Sequence, residues 1–269
     1  MAYDNACKFL VEQFPDHFTR WLVGKSIKVS TLQPSELISE PIRADSVIFL
    51  QSRQLILHLE FQTQSDPQIP LRMLDYWVRL RKQYPRLPIR QIVVYLRQSR
   101  SHRVTQTQFW DGGTLHTFEV IRLWEVDPQQ LHQWPGLLPL VVLCQTEDPV
   151  AVLRKVQLAL ESIADPQERA NVTAATAVLA GLKLKRALIE QILGSTLMKE
   201  SVIYQAWVKE AEERGEQRGI QTGIQTGIQA GIQTGIQQVA INLLQTGMDP
   251  AQVAVVTGLS LDQLRQLQS

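Results

Sequence analysis

The sequence predicts a mixed α/β (α+β) fold followed by a helical C-terminal extension, on three observations. Short apolar and alternating runs bounded by polar turns fill the first half of the chain. From Asp148 to Arg214 the apolar residues recur at helical spacing. A tetrapeptide array then separates this helical stretch from a short helical tail. Strands gathered at the front and helices at the back argue for α+β or α/β with an appended helical part.

The first element runs from Asp4 to Gly24, with Phe9, Leu10, Phe14, Phe18, Trp21 and Leu22 spaced as a helix would place them. Pro15 divides it, because proline disfavours helix at the residue before it. Ser26 to Glu40 is mixed. Asp45–Leu50 and Leu55–Gln62 read as two strands, and polar Gln51-Ser52-Arg53-Gln54 reads as their hairpin loop. Ser65-Asp66-Pro67 has the residues of a helix start, so a helix is expected from near Ile69 to near Pro85. Its apolar face carries Met73, Leu74, Trp77 and Leu80, and Tyr76 and Trp77 are expected in the core. Ile92–Leu96 reads as a buried strand, Asp111-Gly112-Gly113 as a turn, and His116–Trp124 as one further strand.

Gly215 to Gln238 repeats as GEQR, GIQT, GIQT, GIQA, GIQT, GIQQ. A period of four drifts by about 40° per repeat against a 3.6-residue helix, so its isoleucines make no long straight seam. Each glycine costs about 1 kcal/mol in a helix relative to alanine. A partly helical, partner-dependent or flexible connector is therefore expected rather than a rigid rod. The tail from Val239 reads as short helices around Gly247–Pro250 and after Gly258-Leu259-Ser260. Helix-turn-helix units look like this, and so do plain helical hairpins. Arg265 is the only cation after Arg218, which favours packing or homo-oligomerisation over DNA reading by the tail. The expected domains are 1–145, a helical extension 146–214, the connector 215–238 and the tail 239–269.

Composition excludes several classes. With 44% hydrophobic and 20% charged residues in 269, the chain is not wholly disordered. No apolar run approaches the roughly 20 residues of a membrane span, so no membrane is expected as partner. The N-terminus lacks the pattern of a signal peptide. Cys7 and Cys144 build no disulfide framework or zinc motif, and a reducing cytoplasm is the expected home. No GxGxxG, GxSxG or HExxH occurs, and Gly24-Lys25-Ser26 lacks the first glycine of a phosphate loop. Net charge is only +1, yet residues 67–110 hold nine cations and one anion, Asp75. Such asymmetry suits a phosphate-backbone footprint as well as it suits a solvated helix face.

The chemistry concentrates on the hairpin. With Gln51 to Gln54 as the loop, Leu50 faces Leu55 and Asp45 falls opposite Glu60. Gln62 then lies beside Glu60 on the same face, because strand residues i and i+2 share a side. Leu57, Leu59 and Phe61 point the other way, into a core. Directly opposed carboxylates are unfavourable unless a proton, an arginine or a cation separates them. Magnesium suits such a pair, and would polarise a phosphate and help form hydroxide from water. Neutralisation by Arg43 or Arg53 is the plain structural alternative. His58 shares the Glu60 face and reads as a satisfied strand residue.

These residues resemble a known family. Arg43-Ala44-Asp45, the step to His58-Leu59-Glu60-Phe61-Gln62, and Arg72-Met73-Leu74-Asp75-Tyr76 are similar to phrases of the Rpn/YhgA-like group, closest to its cyanobacterial members. These are PD-(D/E)XK nucleases, also labelled recombination-promoting nucleases or putative transposases. The resemblance covers about the first 145 residues. It continues more loosely through residues 198–204 and into the glycine-repeat tail. It implies a restriction-endonuclease-like core with a mixed sheet flanked by helices, and Mg2+- or Mn2+-dependent DNA cleavage, with a part in recombination or transposition. It places Asp45 and Glu60 as metal ligands and catalytic residues. Gln62 stands where lysine is usual, a departure that removes a positive charge from the site. A further acidic residue from the N-terminal region corresponds to Glu12 or Glu40, with Glu12 preferred because it lies on the first helix. Arg72, Arg79 and Lys82 are the expected phosphate contacts, with Arg72 alternatively supporting a carboxylate or pairing with Asp75. The rival reading is a catalytically silent DNA-binding or oligomeric assembly protein on the same fold. A third treats the Gly-Ile-Gln array as the functional part.

Overall fold

A computed structural model describes residues 2–32, 47–194 and 201–268. The chain divides into two compact units, Met1–Trp207 and Val208–Ser269. The first opens with helices α1 (Ala2–Gln13) and α2 (Pro15–Val23), broken at Phe14–Pro15 as the proline requires. Gly24 ends α2 in the left-handed conformation, φ 78°, with its N–H on the carbonyl of Arg20. Strands β1 (Ser30–Leu32), β2 (Val47–Gln51) and β3 (Ile56–Gln62) follow. Helix α3 (Ile69–Gln83) crosses to β4 (Ile89–Tyr95), and β5 (Gln108–Asp111), β6 (Thr114–Thr117) and β7 (Glu119–Arg122) complete the strands.

The main sheet has the order β1-β2-β3-β4-β7, and β5–β6 form a separate hairpin. Pairing is antiparallel from β1 to β3 and parallel from β3 through β4 to β7. The parallel step needs a crossover, which α3 supplies. The mixed sheet and flanking helices agree with the expected α+β architecture.

Two expectations about the strands need correction. The β2–β3 register pairs Leu50 with Leu57 and Val47 with Glu60, two residues away from the arrangement read off the sequence. Ser52 is the reason. Its hydroxyl accepts the N–H groups of Gln54 and Leu55 and donates to the Leu55 carbonyl, so the loop is Ser52–Leu55 rather than Gln51–Gln54. Moving both loop ends by one residue shifts the pairing by two and keeps every side chain on its expected face. Asp45, the other half of the expected opposed pair, lies outside the described residues. The second correction concerns His116–Trp124, which is two strands in two sheets followed by a short 3-10 turn, Leu123–Glu125. The chain changes partner at Phe118, whose side chain is buried and whose N–H bonds to Thr107.

Alternation along β3 divides the interior. Leu57, Leu59 and Phe61 join Ile48, Leu50, Ile92 and Val94 in the main core, as expected. That core also takes in Ala6, Leu10 and Val11 of α1 and the helices Pro149–Glu161, Pro166–Ala180 and Arg186–Leu193. The opposite face, carrying Ile56, His58, Glu60 and Gln62, lies toward α3, where Tyr76 and Leu80 pack on Ile56. Tyr76 is buried, in keeping with its expected core role, whereas Trp77, also expected in the core, is only half-buried, with the Arg81 guanidinium over its ring.

Helix Val202–Gln245 runs through the whole tetrapeptide array, so the expected partly helical or flexible connector is a continuous helix. The glycine cost is counted against alanine and leaves backbone bonding intact, and propagation from helical flanks needs no new nucleus. In the second unit, Pro250–Thr257 and Leu261–Gln268 follow, separated by Gly258 at φ 74°. Ala240, Val253 and Leu264, one from each helix, form its buried centre. No described helix is long and apolar enough to cross a membrane.

Candidate active site

Glu60 lies near the C-terminal end of β3 and is fully buried. A carboxylate out of water needs compensation, and three neighbours surround this one. Arg72 Nη1 lies 3.4 Å from Glu60 Oε1, and the Gln62 side-chain amide donates to the same oxygen at 3.0 Å. His58 Nε2 stands 3.8 Å from Oε2, beyond hydrogen-bond reach. Oε2 accepts no hydrogen bond among the described residues.

The start of α3 delivers Arg72. Asp66 caps that turn by accepting the Gln68 N–H at 2.8 Å, and Pro70 stands in the first turn, where its missing N–H is harmless. Arg72 is then close enough to reach both Asp66 and Glu60. It does not pair with Asp75, which instead takes Arg79 one turn on at 3.0 Å. Of the three expected phosphate contacts, Arg72 and Arg79 thus face carboxylates, whereas Lys82 is exposed.

Behind Glu60 runs a buried polar chain whose protons can be deduced. The Met73 carbonyl only accepts, so the Gln91 amide nitrogen faces it, at 2.8 Å. The same NH2 group lies 2.8 Å from His58 Nδ1, which must therefore be bare. His58 accordingly carries its hydrogen on Nε2, toward Glu60. Gln91 Oε1 faces His116 Nε2 at 2.7 Å, so that nitrogen bears the hydrogen. Burial holds both histidines below the usual imidazole range; for His58 this prevails over the opposing pull of the Glu60 carboxylate. Tyr76 meets the His58 ring edge-on, centroids 5.1 Å apart. Gln91 and His116 were missed by the sequence reading. Their signal was polar residues in or beside apolar strand runs.

A cleft of about 450 Å³ opens beside this group, lined by Asp4, Gln62, Asp66 and Arg72 among others. The acidic side chain that α1 brings to it is Asp4. Glu12, the residue preferred from the sequence, is two helical turns further on and stands 4.0 Å from Lys8. Glu40 lies outside the described residues. Among the described residues no three acidic, histidine or cysteine side chains group closely enough to hold a metal ion. Even so, a buried carboxylate oxygen with no donor is the ligand type that a hard cation takes, so Glu60 fits that use.

No curated protein and no solved structure matches the chain. The tail, expected to pack or oligomerise, meets a different comparison. Its three-helix centre around Ala240, Val253 and Leu264 supplies the packing of a helix-turn-helix unit, a property of apolar spacing that a search for basic residues overlooks. The family resemblance of the front half is met at the other end of the chain: residues 233–269 match the family model of the C-terminal HTH domain of the Rpn/YhgA-like nuclease family.

Proposed function

We propose that the protein is a divalent-metal-dependent DNA endonuclease that hydrolyses phosphodiester bonds, in recombination or transposition, and that it works in the cytoplasm as a homo-oligomer. The observation that carries the reading is Glu60, a fully buried carboxylate with one oxygen that accepts no hydrogen bond among the described residues, beside a polar cleft in a chain whose tail matches a nuclease-family domain. Asp45 and Glu60 would hold Mg2+ or Mn2+, with Asp4, Glu12 or Glu40 as the further acidic residue. The bound cation would polarise the phosphate and make hydroxide available from water at neutral pH. Gln62 holds Glu60 Oε1 through its amide and lines the cleft, so it would orient the carboxylate and a phosphate oxygen or water. Arg72 would set the orientation of Glu60 and Asp66. The HTH domain would bind DNA, which makes the tail a second DNA contact.

A second reading has an observation of its own. Arg72 already neutralises Glu60, as a cation would. That favours a DNA-binding or assembly protein that keeps the fold without turnover. Plasmid nicking by the full chain with Mg2+ or Mn2+, beside Asp45→Ala and Glu60→Gln, separates the two. Metal-dependent nicking lost in both variants supports the nuclease. DNA binding without nicking by any form supports the silent protein.

A further inference from the structure

We infer that the loop between β4 and β5, through Arg97, Arg100 and Arg103, is the track on which this unit holds a DNA phosphate backbone. The inference rests on the nuclease reading for the identity of the cleft it flanks. Its first support is charge accounting. Arg72, Arg79, Arg90 and Arg122 each sit against a carboxylate: Asp66 and Glu60, Asp75, Glu119, and Glu125 respectively. Arg81 is turned onto the carbonyls of Pro85 and Leu87 and over the Trp77 ring. Arg97, Arg100 and Arg103 are exposed and have no ion pair among the described residues; Lys82 and Arg86 share that state but precede β4, at the end of the strand away from Glu60. A guanidinium already neutralised gains little from a phosphate, whereas a free one gains a charge-assisted contact and releases counterions.

Position is the second support. β3 and β4 run parallel and end side by side, with Gln62 opposite Tyr95. The N–H of Leu96 bonds the Gln62 carbonyl at 2.8 Å, so Arg97 leaves the sheet at the edge where the Glu60 group and its cleft lie. Local construction is the third. Ser99 and Ser101 hydroxyls accept the backbone N–H groups of Ser101 and Arg103. Val104 is buried with Ile69, Met73 and Phe118, which anchors the far end of the turn. The loop is thereby held by its own serines and one apolar plug, and its three arginines are left to solvent. A backbone already held in place lowers the entropy lost when the loop binds.

The test is binding of the full chain to a fluorescent 30-base-pair duplex in EDTA, by anisotropy, from 50 to 300 mM NaCl. The variants are Arg97→Ala/Arg100→Ala/Arg103→Ala, the same three positions changed to Lys, and Lys25→Ala/Lys28→Ala/Arg53→Ala. The last set lines a separate basic cavity of about 720 Å³ beside the β2–β3 loop. Losing three phosphate contacts should make the slope of log K against log salt shallower by about 2.7 and weaken binding at least ~10-fold at 0.1 M salt. The lysine variant should keep the wild-type slope, and the control set should change it by less than about one. An unchanged slope in the alanine variant, an equal loss in the control set, or no binding by the wild type would each overturn the inference. Because EDTA removes any need for cleavage, a protein that never nicks DNA can still show the slope change. Conversely, a nicking enzyme with an unchanged slope refutes the loop alone.

Discussion

Replacing Arg72 with methionine isolates the charge that stands over Glu60 while keeping most of the side-chain length. At 3.4 Å and an effective dielectric of about 20, opposite unit charges attract by about 5 kcal/mol. Arg72 is 28% exposed, so water screens part of that, and a second carboxylate, Asp66, shares the guanidinium. Glu60, by contrast, is fully buried and would be left facing only the Gln62 amide and His58. Removing one partner of a buried pair typically costs 3–5 kcal/mol, which the exposure of Arg72 reduces to about 3 kcal/mol. Urea unfolding followed by tryptophan fluorescence measures the right unit, because Trp21, Trp77, Trp110, Trp124, Trp134 and Trp207 all lie within Met1–Trp207. The double variant Arg72→Met/Glu60→Gln should recover at least half of the loss, since a neutral amide no longer needs the cation. A single variant within about 0.5 kcal/mol of wild type, or a double variant no better than the single, would refute the argument that Arg72 compensates Glu60.

Gln91→Leu should lower stability by about 2–4 kcal/mol in the same titration, because the Met73 carbonyl, His58 Nδ1 and His116 Nε2 all lose a buried partner. In the wild type, 1H–15N NMR should find His58 neutral with its proton on Nε2; a proton on Nδ1 would contradict the deduced orientation of Gln91. Ser52→Ala should cost about 1–2 kcal/mol through the three hydrogen bonds that set the β2–β3 loop, and a change below about 0.3 kcal/mol would mean the register is held elsewhere. His17, His58 and His116 are all held below the ordinary imidazole value by burial. Stability is therefore complete above about pH 7 and falls as pH drops below 6.5, where the unfolded chain takes up protons that the folded chain refuses. His17→Gln should make that loss of stability between pH 6.5 and 5 less steep; an unchanged slope would refute it.

Much of the architecture was legible in the sequence because it follows from local patterns. The break at Pro15, the helix after Pro67, the buried strand around Val93 and the outward and inward faces of β3 rest on backbone restriction and a period of two or 3.6. The face that carries His58, Glu60 and Gln62 was likewise set by alternation, which survives a two-residue shift in pairing. Three features depended on side-chain contacts that hydrophobic period does not encode. Ser52 chose the loop, and thereby the partner of Glu60, through hydrogen bonds to a carbonyl and amides that no spacing rule exposes. Phe118 split an apparently single strand because its burial and its bond to Thr107 outweigh continuous β-propensity.

Charge pairing belongs to the same class. Nine cations in residues 67–110 announce a basic segment, yet their sequence positions do not say which ones meet a carboxylate. Asp66, Glu60 and Asp75 take Arg72 and Arg79, Glu119 reaches Arg90 from 29 residues away, and the β4–β5 arginines are left outward. Asp4 enters the cleft rather than Glu12 because eight residues along a helix carry a side chain about 12 Å further on. Residue type and period are properties of the chain, and they determined the elements and their faces. Which buried charges are compensated, and by whom, is a property of segments brought together across space, and only the tertiary structure decided it.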